Sequence, residues 1–126
     1  MKIAYLGIDL LIPVLHALLR EGCTIQKIFA CPTDNVTEFN TAVMETARIH
    51  NIPYTMERIT AGDIAHLQED GCEMLVCAGY YYRVPVSETL PMVNFHPSSL
   101  PVGRGSWPMP IIILRGLSVG GITAHK

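Results

Sequence analysis

Charge is scarce in this chain. Asp, Glu, Lys and Arg together make up 16% of its 126 residues, and the formal balance is −2. The nine basic residues are scattered and form no cluster. The electropositive face on which phosphate-backbone contacts depend is therefore missing, and nucleic acid is not an expected partner. No two of the four cysteines are spaced Cys-x-x-Cys, and Cys23, Cys31 and Cys77 sit in apolar runs. With Cys72 they read as free thiols of a reducing compartment, not as a metal site or a disulfide framework. No apolar run is long enough for a membrane span. Met1-Lys2 ahead of Ile3 to Leu19 looks superficially like a secretory leader, but Asp9, Pro13 and His16 break the run and no small-x-small site follows. A cytoplasmic protein with no membrane segment is expected.

Phosphate-binding glycine patterns are lacking too. A first strand closing on Gly7 invites a dinucleotide reading, which requires three glycines so that the backbone can approach a pyrophosphate and pack on the helix. Only the first is present in Gly7-Ile8-Asp9-Leu10-Leu11, and no P-loop occurs elsewhere. NAD is disfavoured as a ligand.

What the sequence does hold is apolar surface, 49% of residues, enough for one well-buried core in a chain of this length. Lys2 to Leu6 reads as a buried strand. A helix from about Leu11 to Arg20 follows, with Asp9 as its cap and Gly22 after its end. Thr24 to Ala30 is the second strand, Pro32 to Asn35 a turn, and Asn35 or Thr37 caps a second helix ending near His50. A short strand starts at Ile52-Pro53-Tyr54, and a helix over Ala61 to Asp70 stops at Gly71. Glu73 to Ala78 is a continuous apolar run, expected to lie centrally, and Pro91 to Phe95 a fifth strand. Ser106 or Trp107 opens a helix through Arg115, and Val119 to His125 is a sixth strand. Alternating strands and helices predict an α/β fold: a mostly parallel, doubly wound, Rossmann-like sheet with helices on both faces and right-handed crossovers. No repeat or linker divides residues 1–126, which read as a single domain. Ligands of such sheets bind beyond the strand carboxyl ends, so the loops after Leu6, Ala30, Ala78 and Phe95 are where chemistry is sought.

The loop after Phe95 carries the signal. Asn94 and His96 are two apart on a strand end and so project from one face. An amide N–H can meet a developing oxyanion, and an imidazole can do the same or move a proton. The residues alone leave a second reading open: a His before Pro97 as a turn residue, and an Asn satisfying loop backbone.

The run Asn94-Phe95-His96-Pro97-Ser98-Ser99-Leu100-Pro101 with Gly103-Arg104-Gly105 closely resembles the hallmark of the folate-dependent formyltransferase family. That family includes the glycinamide ribonucleotide, methionyl-tRNA and amino-sugar formyltransferases and formyltetrahydrofolate hydrolase. Cys77-Ala78-Gly79-Tyr80-Tyr81-Tyr82-Arg83 is similar to its pterin-binding loop, nearest the amino-sugar branch, and Gly120-Gly121-Ile122-Thr123-Ala124-His125 to the strand that follows. The resemblance implies transfer of a formyl group from 10-formyltetrahydrofolate to an amine, without a metal. By position, Asn94 would hold the oxyanion and His96 would stabilise it and help move protons. Backbone near Arg83, Val84 and Val86 would grip the pterin, and Gly7, Asp9 and Leu10 would face the acceptor. Pro97, Ser98, Leu100, Pro101 and Gly105 would shape the loop, with Leu100-Pro101 at a bond that is cis in relatives. Three departures stand out: Ser99 replaces a Leu, the stretch from Arg83 to Asn94 is short, and the family's Asp beyond the His125 strand does not occur before Lys126. The domain is therefore expected to be incomplete at its C-terminus and weak or inactive alone. The short, acidic 30–35 segment, with no second domain, favours a small-molecule amine, an amino sugar foremost. A hydrolase, a methionyl-tRNA formyltransferase-like protein, or an inactive module binding folate or a partner are the alternatives.

Overall fold

β1 (Lys2–Gly7) is buried along all but its first residue, as a strand covered on both faces must be. In the computed structural model, which describes residues 1–32, 40–105 and 108–126, it forms the middle of a six-stranded sheet. The other strands are β2 (Thr24–Phe29), β3 (Tyr54–Thr55), β4 (Met74–Ala78), β5 (Met92–His96) and β6 (Thr123–His125), in the order β3-β2-β1-β4-β5-β6. All neighbours are parallel except β5 and β6. The α/β, mostly parallel, doubly wound fold read from the sequence is the fold observed.

Alternation along the strands divides the core in two. Ile3, Tyr5 and Val76 point to the side covered by α1 (Ile12–Arg20) and α2 (Thr41–Ile49), where Leu15, Val43 and Ala47 meet them. Ala4, Leu6, Leu75 and Cys77 point to the other side, where α3 (Ala61–Glu69) supplies Ile64 and Leu67. Each such aliphatic side chain taken out of water contributes about 1.5–3 kcal/mol, so the sheet centre carries much of the stability. α3 starts at a capping box: the Thr60 hydroxyl accepts from the Asp63 N–H at 3.1 Å while the Asp63 carboxylate accepts from the Thr60 N–H at 3.0 Å.

Several boundaries differ from the sequence reading. The first helix begins with a 3-10 turn at Asp9–Leu11, and Asp9 does not cap it. Its carboxylate turns instead to the start of α2, accepting from the Ala42 N–H at 3.0 Å and the Val43 N–H at 2.9 Å. The reason is local to α2. Its own N-cap, Asn40, makes no side-chain cap, because the Asn40 amide donates to the Cys31 carbonyl at 2.7 Å. The orphan N–H groups there then need an acceptor, and a carboxylate also suits the positive end of the helix dipole. The expected caps Asn35 and Thr37, most of the Pro32–Asn35 turn, and the helix openers Ser106 and Trp107 lie outside the described residues. α4 runs Pro108–Leu114. β6 is three residues long, not the seven from Val119, since Val119 to Ile122 are exposed and unpaired in the sheet.

The four cysteines are free, and Cys31, Cys72 and Cys77 are buried. Burial raises the pKa of all three, with Cys77 pushed up to about 11. No helix among the described residues is long and apolar enough to cross a membrane.

Two outcomes follow from these contacts. Asp9→Ala is expected to lower folding stability by about 1 kcal/mol, and by no more than roughly 2, read as a shift in the urea midpoint. Alkylation at neutral pH, followed by mass spectrometry, is expected to modify the partly exposed Cys23 first, while Cys31, Cys72 and Cys77 react only under denaturant.

Candidate active site

The chain winds outward from β1 to β2 and β3, then returns to the far side of β1 as β4, so the strand order reverses between β1 and β4. The carboxyl ends of a parallel sheet open a crevice at such a point. Here a cavity of about 960 Å³ lies beyond the ends of β1, β4 and β5, of the size usual for small-ligand sites. Its walls are Ile8, Asp9 and Leu10 after β1, Gly79 to Tyr81 after β4, Asn94 to Pro97 at the end of β5, and Gly105 with the first turn of α4. Most of this lining is apolar, with a few convergent polar groups.

Gly7 lies just outside these walls, and what it touches explains its identity. A Cβ there would come within 2.7 Å of both the Ala78 carbonyl and the Tyr5 ring. The residue is small so that β1 and β4 can close together at the cavity floor. Gly7, expected to face an acceptor, packs β1 against β4 and does not itself line the cavity. Asp9 and Leu10 do reach the cavity. Leu10 is 54% exposed there, while both Asp9 oxygens are held by α2. Among the described residues lining the cavity, Asp9 is the one acid, and it is committed to the helix.

Asn94 and His96 sit side by side, both half-buried and both lining the cavity. The His96 ring is held by the Gly103 carbonyl, to which Nε2–H donates at 2.8 Å. A neutral ring so arranged carries its lone pair on Nδ1, the nitrogen of a base. The same carbonyl accepts from the fully buried Ser98 hydroxyl at 3.4 Å. Gly103 itself has φ +69°, and a Cβ there would stand 3.1 Å from Ser98 Cβ, so the turn needs glycine. The Ser98 N–H donates to the His96 carbonyl at 2.8 Å and the Val102 N–H to Ser99 at 3.1 Å. The Leu100-Pro101 bond is cis, as the resemblance implied. Thr123 on β6 clasps the loop from outside: its hydroxyl donates to the Ser98 carbonyl at 2.7 Å and accepts from the Leu100 N–H at 3.1 Å. Pro97 and Gly105 line the cavity directly, and Gly105 takes φ +103°.

Arg83, Val84 and Val86 are not brought to this cavity. Gly79, with φ +77°, turns the chain, and Tyr80 then buries itself with its hydroxyl accepting from the Ile59 N–H at 3.1 Å. The segment beyond is carried toward the α3 side, where Arg58 lies over the Tyr82 ring and Val84 packs on the core. Val86 is 91% exposed. Tyr81 takes up the wall position instead, its N–H donating to Cys31 Sγ at 3.4 Å. Sequence reasoning named the Tyr80-Tyr81-Tyr82 run without assigning it a wall, and it missed Met109 and Pro110, whose place depends on how α4 returns across the crevice. No group of three or more His, Cys, Asp and Glu able to hold a metal occurs among the described residues.

No family model matches the chain. Over 120 residues it is 29% identical to the methionyl-tRNA formyltransferase of Lactobacillus johnsonii, an alignment covering 87% of this chain and 38% of that protein. The chain thus spans little more than a third of the curated relatives it matches. Among solved structures, phosphoribosylglycinamide formyltransferase from Bacillus halodurans superposes with a TM-score of 0.71 at 21% identity, over 99% of this chain and 71% of that one. A formyltetrahydrofolate deformylase from Pseudomonas syringae gives 0.68 at 18% identity, over 98% and 44%. A sugar N-formyltransferase from Shewanella gives 0.65 at 18% identity, over 99% and 50%.

Thr123→Val is expected to cost about 1–2 kcal/mol and to speed exchange of the Leu100 amide, because it removes a donor and an acceptor from a half-buried loop contact. Hydrogen exchange followed by NMR reads both. In fold this chain is similar to solved formyltransferases, and in sequence it is similar to methionyl-tRNA formyltransferases over 120 residues.

Proposed function

We propose that the chain transfers a formyl group from 10-formyltetrahydrofolate to the amine of a small molecule. The observation that carries this reading is the Asn94–His96 pair in the wall of a largely apolar cavity of about 960 Å³. A flat heteroaromatic donor suits such walls, and the pair supplies the polar chemistry. The amine nitrogen attacks the formyl carbon, and the carbonyl oxygen becomes an oxyanion to which an Asn94 amide N–H donates. His96, with Nε2–H committed to the Gly103 carbonyl, accepts the proton of the attacking amine at Nδ1. The resulting imidazolium faces the oxyanion with an N–H of its own. Collapse of the adduct breaks the bond from the formyl carbon to the folate nitrogen, and that nitrogen takes up the proton. Formylated amine and tetrahydrofolate are the products.

The acceptor is proposed as a small amine, an amino sugar foremost. Supporting this are the −2 charge and scattered basic residues, which offer little to a phosphate backbone, and the likeness to a sugar N-formyltransferase in fold. The sequence kinship to methionyl-tRNA formyltransferases supports a second reading, in which the amine belongs to an aminoacyl group. Both place the nucleophile against the same Asn94–His96 pair.

The test is to follow tetrahydrofolate release from 10-formyltetrahydrofolate with amino sugars, glycinamide ribonucleotide and methionyl-tRNA, alongside an amine-free control. Slow release that depends on an amine is expected, in keeping with the weak activity anticipated from the sequence. Asn94→Ala is expected to lower the rate roughly 100- to 1,000-fold and His96→Ala roughly 100- to 10,000-fold. Release at the same rate without amine would mean water is the acceptor. Folate binding with no release in any mixture would overturn transfer in favour of a binding module.

A further inference from the structure

A carboxamide can serve an oxyanion only if its N–H₂ end faces it. The two ends of the group are nearly the same shape, so a neighbour must discriminate between them. The β5–β6 ladder supplies that neighbour. In the antiparallel register Asn94 stands opposite His125, and His96 opposite Thr123. Residues directly opposite share a face of the sheet, so two cross-strand pairs line up there. The His96–Thr123 pair shapes the loop, as described above. The Asn94–His125 pair does something else.

His125 Nδ1 lies 3.2 Å from the backbone oxygen of Lys126. That oxygen only accepts, so in the neutral ring Nδ1 carries the proton. The neutral ring then has its lone pair on Nε2, which lies 3.1 Å from Asn94 Nδ2. That contact is an N–H···N bond with Asn94 donating. The flipped carboxamide would set its oxygen against the Nε2 lone pair and be repelled. The geometry points to His125 as a positioning residue that fixes which end of the Asn94 carboxamide meets the cavity. One Nδ2–H is engaged by His125, and the other is kept for a ligand oxygen. The pair lies at the exposed rim, where a hydrogen bond contributes little to folding, so what it provides is orientation. The inference rests on the formyl-transfer reading only for what the oriented amide binds, since the orientation itself is a property of the free chain.

The test uses the ¹⁵N-labelled full chain. At mildly alkaline pH a long-range ¹H–¹⁵N spectrum is expected to show His125 protonated at Nδ1 and bare at Nε2. One Asn94 amide proton should be shifted by its bond to His125. In His125→Gln, whose side-chain oxygen can accept the same bond, that shift should persist. In His125→Leu it should collapse to the position of a free carboxamide. An Asn94 amide that is already free in the wild type, or is unmoved in His125→Leu, overturns the assignment. The second readout is affinity for 10-formyltetrahydrofolate relative to tetrahydrofolate. His125→Leu is expected to lose about fivefold of that preference, the equivalent of one hydrogen bond, and His125→Gln to restore it. Preference undiminished in His125→Leu also overturns the role. A wild type that binds neither folate counts against the proposed donor, and the amide spectrum then decides the positioning role alone.

Discussion

Everything at the cavity depends on how closely β1 and β4 approach each other at their carboxyl ends. The two strands pair in register from Ile3 with Met74 to Gly7 with Ala78, and no side chain fits at Gly7. That contact fixes the heights at which the loops after residues 7 and 78 leave the sheet. β5 is then added in register to β4, with Asn94 beside Cys77 and Phe95 beside Ala78. The Asn94–His96 pair consequently stands at a height set by backbone hydrogen bonds two strands away. A one-residue slip anywhere in this ladder would turn Asn94 and His96 to the other face of the sheet.

The second determinant is the 97–105 loop, which is held by backbone as much as by side chains. The Gly103 carbonyl meets the His96 imidazole and the Ser98 hydroxyl together, while Thr123 reaches across from β6. A carboxylate is the usual orienting group for a catalytic histidine, and among the described lining residues the one acid is bound to a helix start. A peptide carbonyl can set the tautomer as a carboxylate does, but it carries no full charge to stabilise the imidazolium that forms.

Much of the architecture could be read from local pattern because the strands are buried on both faces and so appear as continuous apolar runs. Lys2 to Leu6 and Glu73 to Ala78 were legible on that ground, and so was the crevice side of the sheet. Asn94 and His96 were legible as a pair because period-two alternation places them on one face. What failed was non-local. Asp9 stands where a helix cap belongs, and it is one, but for a helix more than thirty residues away. Nothing in the spacing around Asp9 could reveal that α2 lacks a cap of its own. The course of the segment after Ala78 was not legible either, because the turn at Gly79 and the anchoring of Tyr80 decide where it goes. Val119 to Ile122 have the composition of a strand, yet β5 offers pairing partners only for residues 123–125.

The Asp9 bridge to α2 also bears on how such a domain can vary. With the Asn40 bond to the Cys31 carbonyl, it pins the chain on both sides of residues 32–39 to the sheet and to the cavity rim. A connection anchored so firmly at its two ends can lengthen with little penalty, since each doubling of a loop costs only about 0.6 kcal/mol in closure entropy. Evolution could therefore graft new recognition elements between these anchors while the Asn94–His96 end of the cavity wall stayed still.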